Sequence, residues 1–174
     1  MMGSGGMIVM DDHTCMVDVA RYFIDFLMDE SCGKCTACRE GLHLMSNILT
    51  RICSGDGRAG DIERLEELCS TVQEASLCQL GGAAPNPVMS TINYFREEYE
   101  EHISENSCRA GVCKSLITYS ISADNCTGCT LCFKNCPVDA ITGEKKELHV
   151  IDPVKCIKCG ICYEVCNFEA VEVI

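Results

Sequence analysis

Four cysteines at positions 126, 129, 132 and 136 recur thirty residues later at 156, 159, 162 and 166. The flanks repeat with them, Ile121 matching Ile151 and Ala140 matching Ala170. Each copy reads C-x-x-C-x-x-C-x-x-x-C and is too short to bury a core alone, so the two halves need each other to fold. They belong to a chain with 17 cysteines in 174 residues, a density that demands disulfides or metal. Disulfides require an oxidising compartment. No basic residue precedes Arg21, and the apolar start "MIVM" is too short and wrongly flanked for a signal peptide. The chain therefore reads as cytoplasmic, and the odd cysteine count and C-x-x-C packing again favour metal.

Soft thiolates suit iron, and three-residue spacing lets one loop wrap three corners of a cuboidal cluster. A zinc site would instead draw two C-x-x-C pairs set far apart in sequence. The first run ends in Cys136-Pro137, the pattern with which bacterial ferredoxins bind [4Fe-4S] clusters. Residues 119–174 resemble the two-cluster bacterial ferredoxin family. That resemblance implies a pair of short hairpins over two helices, with "EKKELHVI" turning one hairpin. It also implies a crossed ligand set: Cys126, Cys129, Cys132 and Cys166 on one cluster, Cys156, Cys159, Cys162 and Cys136 on the other. The second run ends in Cys166-Asn167, where the pattern usually has proline. Asn167 restores a backbone N–H, and a donor aimed at cluster sulfur raises the reduction potential. The cluster containing Cys166 is therefore expected to be the less reducing of the two.

Before residue 104 the texture is helical. "TCMVDVARYFIDFLMDE" aligns Val17, Ala20, Phe23 or Ile24, and Leu27; "REGLHLMSNILTRI" aligns Leu42, Met45, Leu49 and Ile52 up to the breaker "SGDGRAG". "DIERLEELCSTVQ" repeats Ile62, Leu65, Leu68 and Val72, and "PNPVMSTINYFREEYEEHI" repeats Val88, Ile92, Phe95, Tyr99 and Ile103 after Pro87. Four helices joined by short turns predict a small four-helix bundle. The fold class expected is thus α+β, with the bundle followed by a 2[4Fe-4S] ferredoxin-like domain. The expected divisions are 1–13 as the remnant of a preceding domain, 14–103 as the bundle, 104–118 as linker and 119–174 as the ferredoxin-like domain.

Within the helical part, "DESCGKCTACREG" sets Cys32, Cys35 and Cys38 at intervals of three. Cys15, Cys53, Cys69 and Cys78 are the candidates for a fourth ligand. Cys15 opens the first helix, and Cys53 and Cys69 sit at helical positions among apolar neighbours, where a thiol usually packs. Cys78 lies in the turn-rich "SLCQLGGAAPNP", and a loop can approach a cluster without straining a helix.

These segments, with "GSGGMIVMDDHTCMVDVARYFIDF" and "INYFREEYEEHI", resemble the C-terminal region of the NADH-oxidising flavoprotein subunit of respiratory complex I and its soluble hydrogenase relatives. The resemblance spans residues 3–103 and implies one [4Fe-4S] cluster on Cys32, Cys35, Cys38 and Cys78. Ala37 stands where the family has proline, which leaves the ligands intact but alters the restraint on the loop. A helical cluster domain followed by a ferredoxin domain is most similar to the NAD(P)-linked subunit of soluble multimeric [FeFe]-hydrogenases, including electron-bifurcating ones. The family's glycine-rich flavin and nicotinamide segments do not occur here, and "GSGG" is a weak nucleotide signal. Neither FMN nor NAD is expected to bind.

His102, Cys108 and Cys113 fall within one short segment and make a candidate structural zinc clamp. Its fourth ligand stays open, with Cys53 one candidate among several. His13, His43 and His149 have no ligand-spaced neighbours and read as surface or packing residues. The formal charge of −12 counts against nucleic acid and suits positively charged protein partners. Three clusters with four thiolates each would bring it to roughly −18. No apolar run is long enough to cross a bilayer. The function expected is an electron-transfer module of three [4Fe-4S] clusters and one zinc, passing electrons between a flavin/NAD(P)H site and partner redox subunits of a hydrogenase or NAD(P)H:ferredoxin oxidoreductase complex. The alternative is a zinc scaffold or interaction protein without redox chemistry.

Overall fold

Apolar residues at helical spacing drive the first half of the chain into helices that share one core. The computed structural model describes residues 7–173, so the "GSGG" stretch and the first part of the expected remnant lie outside the described residues. The helices are α1 (Met16–Glu30), α2 (Thr36–Cys53), α3 (Asp61–Ala75), the short α4 (Gln79–Ala83) and α5 (Asn86–Ser104). α1 buries Val17, Ala20 and Ile24, so Ile24 rather than Phe23 takes the core position. α2 buries Leu42, Met45, Leu49 and Ile52 with Gly41, and α3 buries Ile62, Leu65, Leu68, Cys69 and Val72. Gly41 lets α2 and α3 approach closely: a Cβ there would lie 2.1 Å from Val72 Cγ2. The turn-rich stretch after Cys78 forms α4, so the part expected to hold four helices holds five among the described residues.

α5 departs from the expected stripe. Phe95 has φ −134° and ψ 34°, outside the helical region, and is 41% exposed. The kink turns the helix so that Glu98, Tyr99 and His102 are buried beyond it. Tyr99 shares a 2.7 Å hydrogen bond with Thr91. Glu98 reaches across to accept the Met16 N–H at 3.0 Å. α1 has no side-chain cap from its own N-cap residue, and this carboxylate satisfies one orphan donor while complementing the helix dipole.

The chain divides into two compact units at Leu116/Ile117. The segment expected as linker therefore belongs in large part to the first unit, where Cys108, Ala110, Cys113 and Leu116 are buried. In the second unit, β1 (Tyr119–Ile121), α6 (Leu131–Asn135) and β2 (Ile141–Thr142) come from the first repeat; β3 (Val150–Ile151), α7 (Ile161–Glu164) and β4 (Val171–Val173) come from the second. β1 pairs antiparallel with β4 and β2 with β3, so each small sheet joins a strand of one repeat to a strand of the other. Among the described residues only β2–β3 is a local hairpin; β1 and β4 are the two ends of the unit brought together. Ser122 N–H bonds to Ala170 O and Asp152 N–H to Ala140 O, both at 2.7 Å, repeating the thirty-residue offset in hydrogen bonds. Cys132, Ile141, Ile151, Cys162 and Val171 form the shared core. The fold is helix-rich with small sheets. No helix among the described residues is long and apolar enough to cross a membrane.

Candidate functional site

Interleaving the repeats brings the cysteines of the second unit into two sets. One hollow is lined by Cys126, Cys129, Cys132 and Cys166, with Ile121, Phe168 and Val171. Its counterpart is lined by Cys156, Cys159, Cys162 and Cys136, with Tyr119, Ile141 and Ile151. The structure thus gathers the first three cysteines of each repeat with the last cysteine of the other. Backbone donors point at the crossing thiols: Ala140 N–H to Cys136 Sγ and Ala170 N–H to Cys166 Sγ, both at 3.3 Å. Asn167 is exposed at the end of the second run. Burial pushes the Cys162 thiol up to about 11, so without a cation it would keep its proton. None of the 17 cysteines forms a disulfide.

The triplet and Cys78 are also neighbours in space. Cys35 takes the N-cap position of α2 and Cys78 that of α4. A Cβ on Gly81, in α4, would lie 3.2 Å from Cys38 Cβ, which places α4 against the triplet loop. The Leu77 N–H, followed by that of Cys38, lowers the Cys35 pKa. Ser31 Oγ lies 3.5 Å from Cys38 Sγ. Cys69 is elsewhere, packed 3.5 Å from Met45 Sδ, and burial pushes its thiol up to about 12. It behaves as a core residue.

A denser cluster forms in the first unit. Cys15, His102, Cys108 and Cys113 are all buried, and their ligand atoms lie within 4.8 Å of one another, the one such group among the described residues. His102 Nδ1 donates to Glu98 O at 2.7 Å, leaving Nε2 directed at Cys15 Sγ, 3.3 Å away. The bond to Glu98 selects the tautomer that a metal needs. Cys15 Sγ lies 3.8 Å from Cys113 Sγ. Hydrogen bonds from Cys113 and Cys15 pull the Cys108 thiol far down, while sharing with Cys108 pushes Cys113 far up. Burial opposes charge on His102, yet its hydrogen bonds to Cys108 and Cys15 overcome that and push it up to about 10. Three buried thiols this close cannot all ionise without a cation among them, and one tetrahedral divalent ion fits three thiolates and an imidazole.

From sequence the fourth ligand of the candidate zinc site is open, and the structure sets Cys15 beside the other three. Cys53 lies against Cys113, whose thiol lowers the Cys53 pKa by hydrogen bonding, but it stands outside the group of four. Cys15, weighed from sequence only as a ligand for the triplet, is the fourth member of that group. No spacing signal announces it, because it is 87 residues from His102. His149 is a second residue that spacing leaves unmarked: it is 1% exposed and lines the hollow of Cys126, Cys129, Cys132 and Cys166. His13 and His43 are exposed.

Comparison with known proteins finds a separate family match in each unit. Residues 18–102 match the NADH-ubiquinone oxidoreductase-F iron-sulfur binding region, and residues 118–167 match the 4Fe-4S dicluster domain. The chain is 50% identical to the NADP-reducing hydrogenase subunit HndC of Solidesulfovibrio fructosivorans over 98% of its own length and 35% of that protein's. It is 45% identical to an F-type NADH-quinone oxidoreductase subunit of Rhizobium meliloti (strain 1021) over 62% of its length and 26% of the relative's. Among solved structures, an NAD+-reducing [NiFe]-hydrogenase in the H2-reduced state matches 55% of this chain and 16% of its own, with a TM-score of 0.53 and 34% identity. The chain thus spans about a third or less of the relatives it matches. It carries a region matching the iron-sulfur binding region of F-type NADH-ubiquinone oxidoreductase subunits, joined to one matching a 4Fe-4S dicluster domain.

Proposed function

We propose that this chain is an electron-transfer module that holds three [4Fe-4S] clusters and one structural zinc. Its place would be between a flavin/NAD(P)H site and the partner redox subunits of a hydrogenase or NAD(P)H:ferredoxin oxidoreductase complex, in the cytoplasm. The observation that carries the reading is the pair of hollows, each lined by four cysteines drawn from both repeats. When bound, such clusters supply reversible one-electron carriage. The chain's own residues do the rest. Cys126, Cys129, Cys132 and Cys166 hold one cluster, Cys156, Cys159, Cys162 and Cys136 the second, and Cys32, Cys35, Cys38 and Cys78 the third. Ala140 and Ala170 N–H groups donate to the two crossing sulfurs. Ile121 and Val171 on one side, and Ile141 and Ile151 on the other, keep water from the sulfurs. The long helices α1, α2, α3 and α5 serve as a bundle that fixes the triplet loop against α4. His102, Cys108, Cys113 and Cys15 hold the zinc and tie the end of α5 to the start of α1. The name of the NADP-reducing hydrogenase relative supports a hydrogenase-type assembly, and the acidic composition suits a basic partner.

The test is iron, acid-labile sulfide and zinc per chain after anaerobic purification, with electron paramagnetic resonance on the reduced protein. About twelve irons, matching sulfide and about one zinc are expected. About eight irons would remove the cluster assigned to Cys32, Cys35, Cys38 and Cys78. Zinc without iron or sulfide after anaerobic reconstitution would return the protein to the scaffold reading.

A further inference from the structure

The duplication that builds the two thiol-lined hollows gives their loops one backbone course and two different surfaces. Position for position, Asp124, Asn125, Thr127 and Gly128 of the first repeat become Val154, Lys155, Ile157 and Lys158 in the second. Over 152–160 two lysines outweigh Asp152, whereas 122–130 carries Asp124 and no basic residue. Val154 is 92% exposed and Ile157 58%, each standing where the other loop is polar. Each loop also exposes one cysteine, Cys129 or Cys159. Access to sulfur therefore does not separate the two loops; the side chains around it do.

Folding does not account for the difference. Both loops close alike, Cys126 N–H bonding to Ser122 O at 3.1 Å and Cys156 N–H to Asp152 O at 3.0 Å. Gly128, at φ +67°, is roofed by the turn after β2: Lys146 N–H donates to its carbonyl at 3.0 Å, and a Cβ would lie 2.5 Å from the Lys146 and Glu147 backbone. Lys158 holds the same left-handed conformation, φ +56°, with a full side chain that such a roof would exclude. Asp152 turns into its own loop, accepting the Val154 N–H at 2.9 Å, with Lys155 Nζ 4.0 Å from its other oxygen. The result is a pair of exposed apolar residues beside the thiols, rimmed by lysines, in a chain of formal charge −12. An apolar centre with a charged rim is how a protein interface is built, and the sign of the rim selects the partner. We propose that loop 152–160 is the docking face for a separate one-electron carrier protein whose redox centre is ringed by carboxylates, the electron passing through the cluster on Cys156, Cys159, Cys162 and Cys136. The inference rests on the reading that those four cysteines hold a [4Fe-4S] cluster. The acidic surface elsewhere suits basic subunits and repels an acidic carrier from other faces.

The full chain, reduced with dithionite and freed of it by anaerobic gel filtration, is mixed in a stopped flow with oxidised flavodoxin, an acidic one-electron acceptor. A reduced cluster gives up one electron; the flavin takes it with a proton from solvent, and the neutral semiquinone is read by its absorbance. The double substitution Val154→Asp and Lys155→Asn installs the residues of the other loop. It is expected to slow the second-order reaction about tenfold at low salt, with the gap closing as salt is raised. Lys155→Glu, a single change at an exposed side chain, is expected to slow it by a similar factor. Asn125→Glu, at the matching position of the first loop, should stay within about twofold of wild type. Iron, sulfide and the dicluster potentials are measured on each variant and should be unchanged, since no substituted residue is a cysteine of the hollows. Wild-type rates in both second-loop variants at full iron would overturn the proposal, as would Asn125→Glu slowing the reaction as much as Lys155→Glu. Wild type lacking the iron for two dicluster centres would instead defeat the underlying cluster reading and take the proposal with it.

Discussion

Cys15→Ser tests the zinc site where sequence and structure diverge most. The substitution nearly conserves volume at a residue 2% exposed, so core packing changes little. The serine hydroxyl still meets His102 Nε2, 3.3 Å from the present sulfur. What is lost is a soft thiolate, one of four donors within 4.8 Å. With free zinc at a thousand times its dissociation constant, an intact site stabilises the native state by about 4.1 kcal/mol. At about 4 °C per kcal/mol for a domain near a hundred residues, that is roughly 16 °C in melting temperature. The assay is anaerobic calorimetry with and without chelator, with zinc measured by elemental analysis. Wild type should lose about that interval on chelation. Cys15→Ser should melt near the chelated wild type, within about 1 kcal/mol, whether or not zinc is present. Cys53→Ser, which touches Cys113 from outside the group, should keep its zinc and its melting temperature. A Cys15→Ser protein with a full zinc complement, or zinc lost from Cys53→Ser alone, would refute the ligand assignment.

Other consequences can be checked individually. Gly128→Ala puts a Cβ 2.5 Å from the Lys146 and Glu147 backbone at φ +67°, so the Cys126–Cys129 loop cannot close as it does; about four irons should be lost per chain, measured with sulfide after reconstitution. Gly41→Ala drives a methyl into Val72 and should destabilise the helical unit by about 2 kcal/mol in denaturant unfolding, with Val72→Ala in the same chain recovering part of it. Asn167→Pro removes a backbone N–H after Cys166 and should make one dicluster couple more reducing in a redox titration; unmoved potentials would dismiss that donor.

How much was legible depended on whether the chemistry is local in the chain. Cluster-binding loops are local: three thiols at intervals of three sit on one short turn, so Cys32, Cys35 and Cys38 and both ferredoxin runs announce themselves. The apolar stripes of α1, α2 and α3 are likewise set by helical period. Phe95 shows where that reasoning stops, because it keeps the period yet is 41% exposed after the kink carries the buried face to Glu98, Tyr99 and His102.

By itself, then, the sequence determined the ligand-bearing loops, the duplicated dicluster unit and the helical character of the first hundred residues. Tertiary structure alone decided what long-range packing brings together. Cys15 meets His102 across 87 residues because Glu98 caps α1 and draws the two helix ends together. His149 is turned into a thiol-lined hollow because β3 pairs with β2 and Gly143 yields it space. Spacing encodes only what one turn or one loop can place; burial and crossed pairing of distant segments place the rest.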